Sequence, residues 1–338
     1  MGESEKPFDF VLIEDDLIDY GPTKGKAAGH HVIEKGNISG YIRAEMVTLT
    51  PVQVACGLIK LVRVRKDEGW TEEIASDHYR IRGSAVIPGS SLKGAIRAVA
   101  EAISPSCLAV QEGRVRSKTP KKLGQCSIKE GKICPACRIF GTMGYQGAAR
   151  FHDVLIPPKS LIMARVPILW SPGGKDKRDL ASLYLEEDGY VKGRKFYHHH
   201  ARQAGGPDAR VAVKRGVRAE VKVMLHNLSE PDLGLLLTAM GCHPLKRFPI
   251  KIGAGKPVGL GSIEMKPVEI GLIQRDQIIR SGRLGGMRKI SGDEMWKLIS
   301  KWVSAAERKG SILPDPLEDI IGIYDRRGLE NEAPSGVY

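Results

Sequence analysis

The 338-residue chain has no apolar run approaching the eighteen or so residues that a membrane helix needs. Its opening, MGESEKPFDF, lacks the basic stretch with an apolar one behind it that marks a secretory leader. No membrane partner is expected, and a cytoplasmic location is. Cysteine is scarce: six in so long a chain are too few for a disulfide scaffold. In a reducing compartment a CxxC pair points instead to metal or redox chemistry. Acids are in deficit, 39 against 52 bases, for a formal charge of +13 and a pI near 9.4. No internal repeat is visible.

What acid there is collects at the ends. Residues 1–20 carry seven acids and one base, and residues 315–338 carry six acids and two bases. The body between them holds 49 bases against 26 acids, an excess of 23. Such an excess suits a polyanion, and nucleic acid is the simplest one. Single cores stop growing at roughly 250 to 300 residues, so one elaborated domain or two small ones is expected.

Residues 1–36 show no sustained period and read as an extended arm. From 39 the segment SGYIRAEMVTLT alternates in strand fashion, ACGLIKLVRVR alternates again, and HYRIRGSAVIP reads as a hairpin turning at Gly83. In GSSLKGAIRAVAEAIS the residues Leu92, Ile96, Val99 and Ile103 form one apolar helical stripe, with Ser90 or Ser91 as N-cap. A basic, cysteine-bearing insert fills about 104–140, and a long irregular segment about 170–215. A second strand–helix–strand unit follows in VRAEVKVMLHNL, SEPDLGLLLTAMG and FPIKIGAGKPVGLGSIEMKPVEI. The order βαββαβ predicts an α+β, ferredoxin-like (RRM-like) core over 37–270, with a zinc-binding insert and long loop insertions. Residues 271–338 read as a partly helical extension with a mobile acidic end.

Three groups carry chemistry. A helix mouth offers unpaired N–H groups and partial positive charge, so PGSS with Lys93 and Arg97 behind it can hold a phosphate, though a capped core helix would look the same. In KIGAGKPVGLGS the glycines at 253, 255, 259 and 261 surround Lys256; the Walker spacing is missing, but the backbone can approach a phosphate chain closely. Cys107, Cys126, Cys134 and Cys137 suit tetrahedral zinc in a structural role, with His152 as fallback ligand, while Cys56 and Cys242 read as small core residues. In FYHHH consecutive side chains diverge, so the tract reads as an RNA-facing loop with contacts from Tyr197 and His199 rather than as a metal site.

Together IPGSSLKGAIR, CPACRIFG and GAGKPVGLG resemble, in type and order, the RAMP superfamily of CRISPR type III effectors. SGYIRAEMVTLTP, GRKFYHHH and HNLSEPDLGLLLTAM are similar to its larger backbone-type members, over about 37–267. The resemblance implies a ferredoxin-like subunit that stacks with other RAMP subunits and the large subunit along a guide RNA, bound to complementary target RNA. It places Ser90, Ser91, Lys93 and Arg97 on the guide-phosphate path, with Gly253, Gly255, Lys256, Gly259 and Gly261 beside them. Members that cut target RNA use an aspartate before the PGSS helix with magnesium or another divalent ion; Asp77 is the nearest match, with Asp67 and Glu73 as alternatives. The rival reading is a stand-alone endoribonuclease that processes guide precursors through a histidine such as His78 or His199.

Overall fold

The computed structural model describes residues 6–66, 69–108, 118–169, 184–274 and 287–334; Asp67 and the segment SPGGKDKRD lie outside them. The first half contains β1 (Phe8–Leu12), β2 (Ile38–Thr48), β3 (Ala55–Lys66), β4 (Gly69–His78), β5 (Ser84–Ile87), α1 (Gly89–Ala102), α2 (Pro135–Phe140), β6 (Ala149–Phe151) and β7 (Leu161–Val166). The second contains β8 (Gly193–Tyr197), β9 (Asp208–Val213), β10 (Arg218–Leu228), α3 (Glu230–Ala239), β11 (Ile250–Lys251), β12 (Ser262–Ile273), β13 (Met287–Ile290), α4 (Gly292–Arg308) and α5 (Pro314–Ile323).

The largest sheet runs β6-β10-β2-β12-β11, with β13 also on β12, and every neighbour is antiparallel. The alternation of β2 explains its place at the centre. Ile42, Ala44, Met46 and Thr48 are buried, while Arg43 on the other face bonds Glu220 of β10 and Glu269 of β12. α1 packs its stripe of Leu92, Ile96 and Val99 into the core, and each such side chain contributes about 1.5–3 kcal/mol. α3 is apolar all round because α4 covers the side the sheet leaves open. Gly234 permits this: a Cβ there would meet the Trp302 carbonyl oxygen at 2.2 Å.

A second sheet, β7-β9-β4-β3, holds the long β3–β4 hairpin, with β9 parallel to β4. The short turn at Gly83 (φ 84°) forms as the sequence indicates. Three expectations change. The arm is not simply extended: β1 pairs with β8 from Phe8↔Tyr197 to Leu12↔Gly193, and Asp15–Tyr20 is helical. Within the segment expected to be irregular, β8 and β9 are regular strands. The acidic end is not loose either, since α5 adds Leu317 and Ile320, with Tyr324 just beyond it, to the same core that contains Val11.

Candidate metal centre and nucleic-acid interface

Cys134 opens the short helix α2, Cys137 lies on its first turn, Cys107 follows α1, and Cys126 comes in from the connecting loop. All four are buried and their sulfurs lie within 4.8 Å of one another. Cys107 Sγ is 3.5 Å from Cys137 Sγ and 3.7 Å from Cys134 Sγ. A metal–sulfur bond of about 2.3 Å in a tetrahedron needs sulfurs about 3.8 Å apart, so the set fits a metal ion. Donors reach two of the sulfurs: the Cys134 N–H points to Cys126 Sγ at 3.4 Å, and Arg97 directs Nη2 at Cys137 Sγ, 3.8 Å away. Hydrogen bonds from Cys107, then Cys134 and Cys137, hold the Cys126 thiol well below its usual range. His152 is exposed and outside the set, and Cys56 sits half-buried on β3 rather than in the core.

Arg97 therefore does something other than the sequence suggests. Its Nε donates to Glu101 at 2.6 Å and its Nη1 to the Gly141 carbonyl at 2.9 Å. Glu101 also receives Arg194 of β8, a guanidinium whose pKa burial lowers to about 10. The expected guide-phosphate contact from Arg97 is thus replaced by an internal bridge among α1, β8 and the cysteine centre.

The helix mouth differs too. The N-cap of α1 is Pro88, not Ser90 or Ser91, and the Gly89 N–H donates to Asp153 Oδ1 at 2.8 Å. Ser90 is exposed, Ser91 and Lys93 are half-buried, and Lys93 makes no ion pair or hydrogen bond among the described residues. Its pKa is lowered by burial and then by Arg97.

The glycine loop joins β11 to β12. Gly253 (φ 74°) and Gly259 (φ 81°) must be glycine, because a Cβ would stand 2.1 Å from the carbonyl oxygens of Gln53 and Ala201 respectively. The loop is pinned from below: Lys251, 2% exposed, donates its Nζ to the Lys256 carbonyl at 2.9 Å. Burial, and secondarily Lys256, brings the Lys251 pKa down to about 7, and burial lowers that of Lys256. Neither ammonium meets a carboxylate among the described residues.

Topology brings this loop and the helix mouth to one end of the sheet. β2 finishes at Thr48, β12 starts beside it (Ile263↔Thr48), and the segment after β2 touches both groups. Gln53 bridges to Ala254, while the Val54 N–H donates to His78 Nδ1, whose Nε2 donates to Val86 just ahead of α1.

Other expectations fare unevenly. His199 is buried at 1% exposure between the Ser262 hydroxyl (2.8 Å) and the Pro249 carbonyl (3.2 Å), so it cannot stack on RNA from an exposed loop. Burial lowers its pKa to about 3. His78 is equally enclosed, its pKa lowered by burial to about 4, which deprives the precursor-processing reading of both its histidines. Tyr197 is half-buried on β8, beside Phe8 and Lys195. Asp77, at the end of β4, accepts from its neighbour's N–H at 2.9 Å and from Arg80 at 3.3 Å. Glu73 pairs with Arg165.

Sequence reasoning missed the outer face of the β3–β4 hairpin. Ile59, Leu61, Trp70 and Ile74 stand 74, 62, 72 and 63% exposed there, with Arg63 and Arg65 alternating among them. The signal was available: in LIKLVRV apolar residues fall on both faces of one strand, so Ile59 and Leu61 are left outside when the Val62 and Val64 face packs.

Fold and site together define an α+β protein with a four-cysteine centre able to hold a metal ion. The chain belongs to the RAMP superfamily, whose family model matches residues 45–264. A search of curated proteins finds no match to it. Membership supports a CRISPR-associated role in RNA binding, with RNA and protein partners. Among the described residues no helix is long and apolar enough to cross a membrane.

Proposed function

We propose that the protein is a guide-RNA-binding backbone subunit of a type III CRISPR ribonucleoprotein that pairs with complementary target RNA. The strand order β12-β2-β10-β6 with α1 and α3 as crossovers supports a ferredoxin-like core. The observation that supports the reading is that the helix mouth carrying Lys93 and the glycine loop carrying Lys256 are both tied to the segment after β2, and that neither ammonium has a carboxylate partner among the described residues. Base pairing reads a guide's sequence, so such a subunit needs backbone-directed cations more than base-reading groups. Zinc is the proposed ion of the cysteine centre, in a structural role.

Lys93→Glu with Lys256→Glu tests this. RNA affinity should fall at least tenfold, and the salt slope should shrink by about 0.7 for each lost single-strand phosphate contact. Unchanged affinity and slope would end the proposal. Cleavage through Asp77 with a divalent ion is a separate proposal, and the Arg80 pairing weighs against it. It requires that Asp77→Ala abolish a cut in the assembled complex while target binding persists.

A further inference from the structure

A cavity of about 510 Å³ lies away from the glycine loop, among the arm, the cysteine module, the start of α3 and the turn between α4 and α5. That volume falls within the range of small-molecule pockets, roughly 300–1,000 Å³. Its lining includes Lys24, Lys26, Lys309 and Arg138 against two acids, Glu34 and Asp232.

Both acids are already engaged. Asp232 accepts three hydrogen bonds from Arg138 (2.7, 3.1 and 3.2 Å) and one from the Ser229 hydroxyl (2.7 Å). Glu34 accepts from the Gly29 N–H at 2.9 Å and from Asn37 Nδ2 at 2.8 Å. Lys26 and Lys309, by contrast, have no side-chain partner among the described residues. Nor has the hydroxyl of Ser311, which is 5% exposed and lines the same space. The wall thus has donors in excess around a half-buried aromatic, Tyr145. Donor excess matches an acceptor-rich anion, and the volume with a ring at its side matches a body larger than phosphate alone. Lys24, Lys26, Lys309 and Ser311 all fall outside residues 45–264, so the cavity's lysines, unlike Arg138, lie outside the family match.

We propose that this cavity binds a ribonucleoside monophosphate group, supplied either as a free nucleotide or as the 5′-phosphorylated end of an RNA. Lys26 and Lys309 take the phosphate, and Tyr145 borders the nucleoside. The inference is independent of the guide-RNA reading, whose lysines lie at the other site.

Isothermal titration of the full chain with AMP, CMP, adenosine and inorganic phosphate tests it, alongside a six-nucleotide RNA carrying 5′-phosphate or 5′-hydroxyl. A nucleotide should bind at least tenfold more tightly than the nucleoside and than phosphate. If the RNA end is the source, the 5′-phosphate oligonucleotide should exceed both the 5′-hydroxyl one and free AMP. Lys26→Glu with Lys309→Glu, both exposed and so neutral to folding, should erase the phosphate preference while Lys93→Glu with Lys256→Glu leaves it intact. Equal binding with and without phosphate, no binding of any probe, or loss only in the Lys93/Lys256 variant overturns the proposal.

Discussion

Replacing Glu101 with glutamine removes one negative charge and almost no volume. Its carboxylate, 2% exposed, is the shared partner of Arg97 and Arg194. At an effective dielectric of about 20 each pair at roughly 4 Å between charges is worth about 4 kcal/mol. The amide retains one acceptor, and Arg97 keeps its bond to Gly141, so part of this is recovered. What is not recovered is the charge of Arg194, which is half-buried on β8 with its Nε enclosed and already lacking a partner. Stranding a fully buried charge costs about 3–5 kcal/mol, and the partial exposure of Arg194 brings the loss down to about 2–3 kcal/mol. Urea unfolding of the metal-loaded protein should show that loss as a lower midpoint at unchanged slope. Glu101→Asp, which keeps the charge but shortens the reach, should lose less. A Glu101→Gln loss below about 1 kcal/mol would show that the two guanidiniums are solvated or paired elsewhere, and the bridge would lose its meaning.

Chelation at neutral pH should destabilise the chain, and metal analysis should return about one ion per chain, falling with Cys134→Ser or Cys137→Ser; stability indifferent to both would remove the metal role. Acid should destabilise as well. His199 and His78 stay neutral in the fold down to about pH 3 and 4, whereas unfolded histidine takes up a proton below about 6.5. Stability is therefore full above about pH 6.5 and falls as pH drops, by about 2 kcal/mol per histidine between pH 7 and 5, and His199→Gln should flatten that curve. Trp70→Ser with Ile74→Ser should leave the unfolding midpoint within about 0.5 kcal/mol, because those side chains face solvent, while weakening binding to any partner the hairpin engages.

Much of the core was legible because period and burial coincide. β2 alternates over eleven residues and α1 carries a clean stripe, so both could be placed without a structure. The cysteine set was legible for a similar reason, since thiols have few other uses in a reducing compartment. β1 and β8 were not legible: each is five residues long, and their pairing joins segments some 185 positions apart, which no local pattern encodes. α5 hid behind Pro314 and Pro316, which mark a helix start only once the helix is known. The roles of Arg97 and His199 failed for a different reason. A sequence shows that a charge or ring exists, but not whether a partner waits for it inside the fold.

That distinction also decides where the positive field resides. Among the ion pairs of the described residues twelve arginines take part, and with them the lysines Lys246 and Lys301. The planar guanidinium fork suits fixed internal pairing, and a compact ammonium on a flexible stem suits a phosphate that must be gripped and released. With acids largely committed to arginine, the uncompensated charge of the body falls to lysine: Lys93 and Lys256 at the end of β2, Lys26 and Lys309 at the cavity. Composition alone weighs every base equally; the fold separates the arginines held in ion pairs from cations without one, among them Lys93, Lys256, Lys26 and Lys309.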